Sequence, residues 1–208
     1  MKLQPLIALI IAVLLISTCT TSLTGNSSET SNGVTVVARA GGVEGCAPPH
    51  SRVFFIPASY KPLDPKMYDS ALTDTSGKFL FEVPDGDYNL FCYGSDGLSA
   101  MMQLSVNTSD VYGDTLFKKL SVPGSIKGTI PFADEDPGLS YFFIEGSMFF
   151  TQADPDGHFY LDSIPEGIYT LKHFSVSSIK TNQVVSHEST SLIKVSSDSL
   201  TVIKWRSQ

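Results

Sequence analysis

The side chains best able to ligate a metal or move a proton are the four histidines, His50, His158, His173 and His187, and they are scattered along the chain. None stands two or four residues from another, the spacing that would bring two imidazoles to one side of a strand or helix. The sequence contains no G-x-S-x-G elbow, no phosphate-binding glycine loop and no C-x-x-C pair. Asp154-Pro155-Asp156-Gly157, with Asp162 beyond it, is oxygen-rich enough to suggest a calcium loop. Such a loop needs further carboxylates and a closing Glu at fixed spacing, so this segment reads as turn chemistry. No catalytic residue, metal ligand or cofactor is expected. Cys46 and Cys92 can pair as a disulfide, or Cys92 can sit on a strand as a small buried hydrophobe, because spacing alone does not establish bridge geometry.

The remaining chemistry is that of aromatic rings, which can stack on sugars. Tyr60, Tyr68, Tyr93, Tyr112 and Tyr141 are the candidates for such a platform. The segment from Ala58 to Tyr68 could place Tyr60 and Tyr68 beside Lys61 and Asp64, making these two tyrosines the candidate glycan contacts. Most other rings sit in alternating apolar runs and read as core. The doublets Phe54-Phe55, Phe142-Phe143 and Phe149-Phe150 would each expose one ring unless a neighbouring domain covers it. Trp205, the single tryptophan, is expected to close a second core.

These residues are carried by an internal repeat. Asp74-Thr75-Ser76-Gly77-Lys78-Phe79-Leu80-Phe81 runs into Pro84-Asp85-Gly86-Asp87-Tyr88-Asn89-Leu90. The same order returns as Asp154-Pro155-Asp156-Gly157-His158-Phe159-Tyr160-Leu161, then Pro165-Glu166-Gly167-Ile168-Tyr169-Thr170-Leu171. In each copy the Asp caps a hairpin turn and Gly77 or Gly157 takes a positive φ. Pro84 and Pro165 begin a second reversal, at which Gly86 and Gly167 are expected to accept a strained position. Tyr88 and Tyr169 then enter a core, and their hydroxyls are expected to bond to backbone as in the tyrosine corner of sandwich folds.

Short alternating strands separated by turn residues predict an all-β chain of two tandem small antiparallel β-sandwiches. One is expected over 33–120, with strands at 34–40, 52–56, 70–73, 78–83, 88–93, 99–106 and 114–120. The other is expected over 121–208, with strands at 124–130, 139–144, 147–151, 158–161, 168–174, 182–186, 192–195 and 200–205. The short junction Ser121-Val122-Pro123-Gly124 predicts a fairly fixed angle between them. The pattern T-D-x-x-G-x-F-x-F-x-V-P-x-G-x-Y-x-L resembles the carboxypeptidase regulatory-like domain, a small prealbumin-like (transthyretin-like) β-sandwich. The resemblance covers residues 33–120 well and 121–206 more loosely. It implies an accessory, non-catalytic module, because a fold does not carry an activity with it.

The N-terminus suggests where such modules sit. Lys2 precedes the apolar run Leu6–Ile16, about half the ~20 residues a spanning helix needs, so 1–18 reads as a signal peptide. Leu15-Ile16-Ser17-Thr18-Cys19 resembles a lipoprotein lipobox, in which Cys19 would be lipidated; Thr18 departs from the usual Gly, Ala or Ser, and an ordinary signal peptide cut nearby or an uncleaved anchor is the alternative. Residues 19–32, rich in Ser, Thr, Asn and Gly, read as a flexible tether. A net charge of −7 without basic clusters argues against nucleic acid. The expectation is a lipid-anchored protein of a bacterial cell envelope, at the outer membrane, periplasmic or surface-exposed. Its partners would be the membrane through the lipid and an envelope protein or polysaccharide, and the alternative reading is a carbohydrate-binding surface module.

Overall fold

The structure, a computed structural model, describes residues 32–39, 41–62, 64–65, 68–107, 115–130, 139–178 and 184–205. Cys19, the signal and nearly all of the tether, and Tyr112 lie outside the described residues. The chain is all-β. The first half contributes β1 (Gly33–Arg39), β2 (Gly42–Cys46), β3 (Arg52–Pro57), β4 (Asp69–Leu72), β5 (Lys78–Phe81), β6 (Gly86–Tyr93), β7 (Ser99–Val106) and β8 (Thr115–Lys119). The second half contributes β9 (Gly124–Thr129), β10 (Leu139–Ile144), β11 (Phe150–Gln152), β12 (His158–Ile164), β13 (Gly167–Ser178), β14 (Val184–Val195) and β15 (Leu200–Lys204). Sheets β5-β2-β1-β8 and β4-β3-β6-β7 face each other in the first sandwich; sheets β12-β9-β15 and β11-β10-β13-β14 do so in the second.

The repeat extends further than the turn motifs. In the first sandwich Phe79 pairs with Gly45, and its ring occupies the space a Cβ at Gly45 would need. In the second, Phe159 stands over Gly128 in the same way. Val43-Glu44-Gly45 of β2 thus corresponds to Ile126-Lys127-Gly128 of β9, and each glycine lets an aromatic ring lie flat across the strand pair. Strand β2 is not among the expected strands, and its glycines Gly42 and Gly45 weaken any strand pattern there. Likewise the described part of the expected strand 182–186 and all of 192–195 belong to one strand, β14, whose polar stretch of Ser and Thr hides its continuity.

Among the described residues the second sandwich has no counterpart of β1. In the first, β1 runs antiparallel to both β2 and β8, so β8 points the same way as β2. With β1 missing, β15 adds directly to β9, and the pairing is parallel. The expectation of purely antiparallel sheets fails at this one pair for that reason. Trp205 follows β15 and supplies core volume there: it packs edge-on against Phe142 at 5.4 Å, and its indole N–H donates to Ser189 Oγ at 3.1 Å.

The Cys46–Cys92 bridge is absent, since Cys92 is a free, buried thiol. Strand alternation is the reason. On β2, Val43 and Gly45 face the core and Cys46 faces outward with Glu44, whereas Cys92 points inward from the opposite sheet against Val53. Burial pushes the Cys92 thiol up to about 12.

The sandwiches meet end to face. Outward-facing Phe54, Ile56, Phe91, Tyr93 and Met101 of the β4-β3-β6-β7 sheet join the core of the second sandwich. Phe91 meets Phe149 edge-on at 5.8 Å, and Tyr93 donates from its hydroxyl to Ser163 O at 3.2 Å. Burying Phe91 and Ile56 stabilises this interface by about 1.5–3 kcal/mol each. The β10–β11 turn is pinned by polar contacts: Gly146 N donates to Tyr60 O at 2.7 Å, and Asn89 Nδ2 donates to Gly146 O at 2.9 Å. The second ring of the Phe54-Phe55 doublet is covered in this way, with Phe55 inside the first core and Phe54 under the second sandwich.

Candidate functional site

The duplicated turns are built as rigid supports. Asp74 Oδ1 accepts from Ser76 N at 2.8 Å, Ser76 Oγ at 2.7 Å and Lys78 N at 2.9 Å. The Ser76 hydroxyl, with the Lys78 and Ser76 amides, holds the Asp74 carboxyl below its usual range. Asp154 Oδ1 accepts from Asp156 N and His158 N at 3.0 and 2.7 Å, so this carboxylate is committed to its turn. Gly77 and Gly157 both have φ of +80°. Tyr88 donates to Pro84 O at 3.0 Å and Tyr169 to Pro165 O at 2.7 Å, which satisfies both phenols as they enter their cores.

The expected positive φ is found at Gly86, at +158°, but the expectation for Gly167 needs correction, since Gly167 is not among the positive-φ residues. At Gly167, and in addition to the φ at Gly86, glycine is required by the tyrosine two residues on. A Cβ at Gly86 would come within 3.3 Å of the Tyr88 ring, and one at Gly167 within 3.1 Å of the Tyr169 ring and 3.0 Å of Met101 Cε. The bare backbone gives each ring a surface to lie on.

The proposed glycan contacts do not form an exposed platform. Tyr60 is buried against the second sandwich, and Tyr68 is half-buried, packed edge-on against it at 5.4 Å and against Phe54 at 6.3 Å. Their rings seal the interface. The histidines stay apart. His50 is an exposed turn residue at φ +61°, His158 is exposed on β12, and His173 is buried, stacked on Phe142 at 4.7 Å. His187 lies on β14, and its side chain is outside the described residues. Among the described residues no three His, Cys, Asp or Glu side chains converge as metal ligands.

A surface arrangement that the sequence did not single out stands on the outer face of the β11-β10-β13-β14 sheet. Register places Gln152, Tyr141, Phe174 and Glu188 side by side across the four strands. Neighbouring strands lie ~4.8 Å apart, so this row spans roughly 14 Å. Phe150 stacks with Tyr141, with ring centres 5.6 Å apart and planes inclined by 19°, and it is 41% exposed. At the row's end Lys172 Nζ contacts Glu145 Oε1 at 2.9 Å and Glu188 Oε1 at 3.0 Å, while Lys61 from the first sandwich approaches Glu188 Oε2 at 3.8 Å. Hydrogen bonding to Glu145 and Glu188 raises the Lys172 pKa, and Lys172 lowers that of Glu188. Two cations balance two anions.

No family model matches the chain, and no curated protein matches it. Among solved structures it is similar to GBS52, the minor pilin of the Gram-positive pathogen Streptococcus agalactiae. That match has 12% identity and a TM-score of 0.35, over 77% of this chain and 83% of that one. It is also similar to the Bacillus anthracis TIE protein, at 15% identity and a TM-score of 0.30, over 88% of this chain and 41% of that one.

Proposed function

We propose that this chain is a non-catalytic component of a bacterial cell envelope, held by a lipid on Cys19, whose two sandwiches act together as a rigid scaffold and interaction module. The observation that carries the reading is the interface. Apolar side chains from the outer face of one sandwich are built into the core of the other, and the Asn89–Gly146–Tyr60 contacts fix their angle. A unit of this kind presents surfaces at a set geometry rather than closing around a substrate. The scattered histidines and the turn-bound carboxylates of Asp74 and Asp154 support a role without catalysis. The resemblance of the repeat to carboxypeptidase regulatory-like domains points the same way, toward an accessory module. The lipobox-like residues before Cys19 and the polar tether support attachment to a membrane, whether at the outer membrane, in the periplasm or at the surface.

Cys19→Ser tests the anchor. The variant should move to the soluble fraction, because acyl burial at ~0.8 kcal/mol per CH₂ holds the native protein. Mass spectrometry of the native N-terminal peptide should show a thioether-linked lipid on Cys19. A Cys19 peptide joined instead to Cys46, or a Cys19→Ser variant that stays with membranes after a carbonate wash, refutes lipid anchoring.

A further inference from the structure

We propose that two copies of this chain associate edge to edge through β15, antiparallel about a twofold axis at Val202. The inference rests on the reading of the chain as an interaction module and deepens it by naming the partner and the contact. β15 pairs with β9 alone, and it stands beside β9 where β1 stands beside β2. In the first sandwich β8 covers the far edge of β1, and among the described residues no strand does so for β15. The bonds that flank the pair, Ser125 N to Ser199 O and Trp205 N to Thr129 O, fix which groups face β9. Backbone groups alternate along a strand, so Ser199, Thr201, Ile203 and Trp205 bond to β9. The N–H and C=O groups of Leu200, Val202 and Lys204 therefore point away from the sheet, a template for a further strand.

Side chains and charge select the strand that fits. Leu200 and Val202 are 45% and 63% exposed, although both are large and apolar. Ile203, on the inner face, is only partly buried against the core of the second sandwich. An antiparallel copy of β15 sets Val202 opposite its own counterpart and Leu200 opposite Lys204, so every outward backbone group on both strands gains a partner. The apolar side chains of the two strands then cover one another, with the Lys204 stem lying along Leu200. Asp198 precedes the strand, whereas Lys204 ends it and Arg206 follows, so charge changes sign along the segment. Antiparallel pairing brings each acidic end beside the partner's basic end; parallel pairing would set like charges together.

Cysteine trapping in the full chain tests the pairing and its register. Under mild oxidation of intact expressing cells, Val202→Cys should give a reducible dimer of two copies. The twofold would set the two Cα atoms about 5.5 Å apart, inside the range of roughly 4.4–6.8 Å that a disulfide bridges. Leu192→Cys, more exposed than Val202 and on the opposite sheet, should not dimerise above the level of the native chain. In sedimentation equilibrium of the purified full chain, Val202→Pro should raise the dissociation constant about tenfold or more. That change removes an N–H that faces only the open edge, so the melting temperature of the dilute protein should stay nearly constant. Val202→Lys keeps the N–H but sets two like charges at the axis, and it should weaken association likewise. A native chain that sediments as a monomer up to about 1 mM, or equal trapping of the two cysteine variants, overturns the proposal. Neither result bears on the lipid anchor, which the fate of Cys19→Ser decides separately.

Discussion

Gly146→Ala probes the joint between the sandwiches. Gly146 sits at φ +68°, where an alanine costs about 1–2 kcal/mol of backbone strain. The added Cβ would collide with Asn89 Nδ2 and stand 2.7 Å from Ala58 O, a backbone atom that cannot swing aside. Displacing Asn89 breaks its bond to Gly146 O and leaves a buried amide unpaired, a further cost of about 1–3 kcal/mol. Together these amount to about 2–5 kcal/mol. At roughly 2–4 °C per kcal/mol for a unit of this size, the melting temperature should fall by about 4–20 °C. Gly97 is the matched control. Its φ is +81°, and a Cβ there meets nothing within 4 Å, so Gly97→Ala should show the backbone cost alone. Scanning calorimetry of both variants isolates the joint, and equal depressions would refute the view that close packing at Gly146 locks the two sandwiches.

Tyr169→Phe should destabilise more than Tyr88→Phe, each by on the order of 1 kcal/mol in urea denaturation, because the bond to Pro165 O is buried and that to Pro84 O is partly open. Iodoacetamide should leave Cys92 unmodified in the native chain and label it only after denaturation; rapid native labelling would contradict its core position. Alkali should also weaken the fold. Burial raises the folded-state pKa of Tyr93 and Tyr169 above the ordinary tyrosine value. Stability from these phenols is therefore full below about pH 10 and is lost as pH rises through the higher folded values, at up to ~1.4 kcal/mol per pH unit for each group. Melting temperature followed from pH 8 to 12 should fall above pH 10, and less steeply in Tyr93→Phe.

The turns and their tyrosines were legible because their chemistry is local: Asp74, Gly77, Pro84 and Tyr88 act on neighbours within a few residues. The role of Gly167 was not, since a ring lying over a glycine and an unusual φ leave the same residue in the sequence. Strand β2 was hidden because its glycines serve cross-strand packing by Phe79 rather than a turn. The burial of both faces of β3 and β6 did leave a trace, in the apolar runs Val53-Phe54-Phe55-Ile56 and Leu90-Phe91-Cys92-Tyr93. The identity of the covering surface could not be read from those runs. Tyr60 and Tyr68 looked like a binding loop for the same reason: tyrosine serves a wet ligand face and a sealed joint equally well. The row from Gln152 to Glu188 depends on the register of four strands, two of them over thirty residues apart in sequence, and no local motif marks it.

The replacement of an N-terminal strand by β15 changes how the second sandwich can assemble. Its three-stranded sheet is completed by pairing β9 with β15, so β9, which pairs with β12 along one edge, keeps its other edge open until β15 has formed. The first sandwich carries a similar delay, because β1 must find β8. Each closure joins distant parts of its own half, and loop-closure entropy is lost before the contacts that offset it are made. Folding should accordingly be slow, in the range of milliseconds to seconds usual for sandwiches of high contact order. A chain shortened by even the final strand would lose both the parallel edge and the indole over Phe142, leaving the second core open on one side.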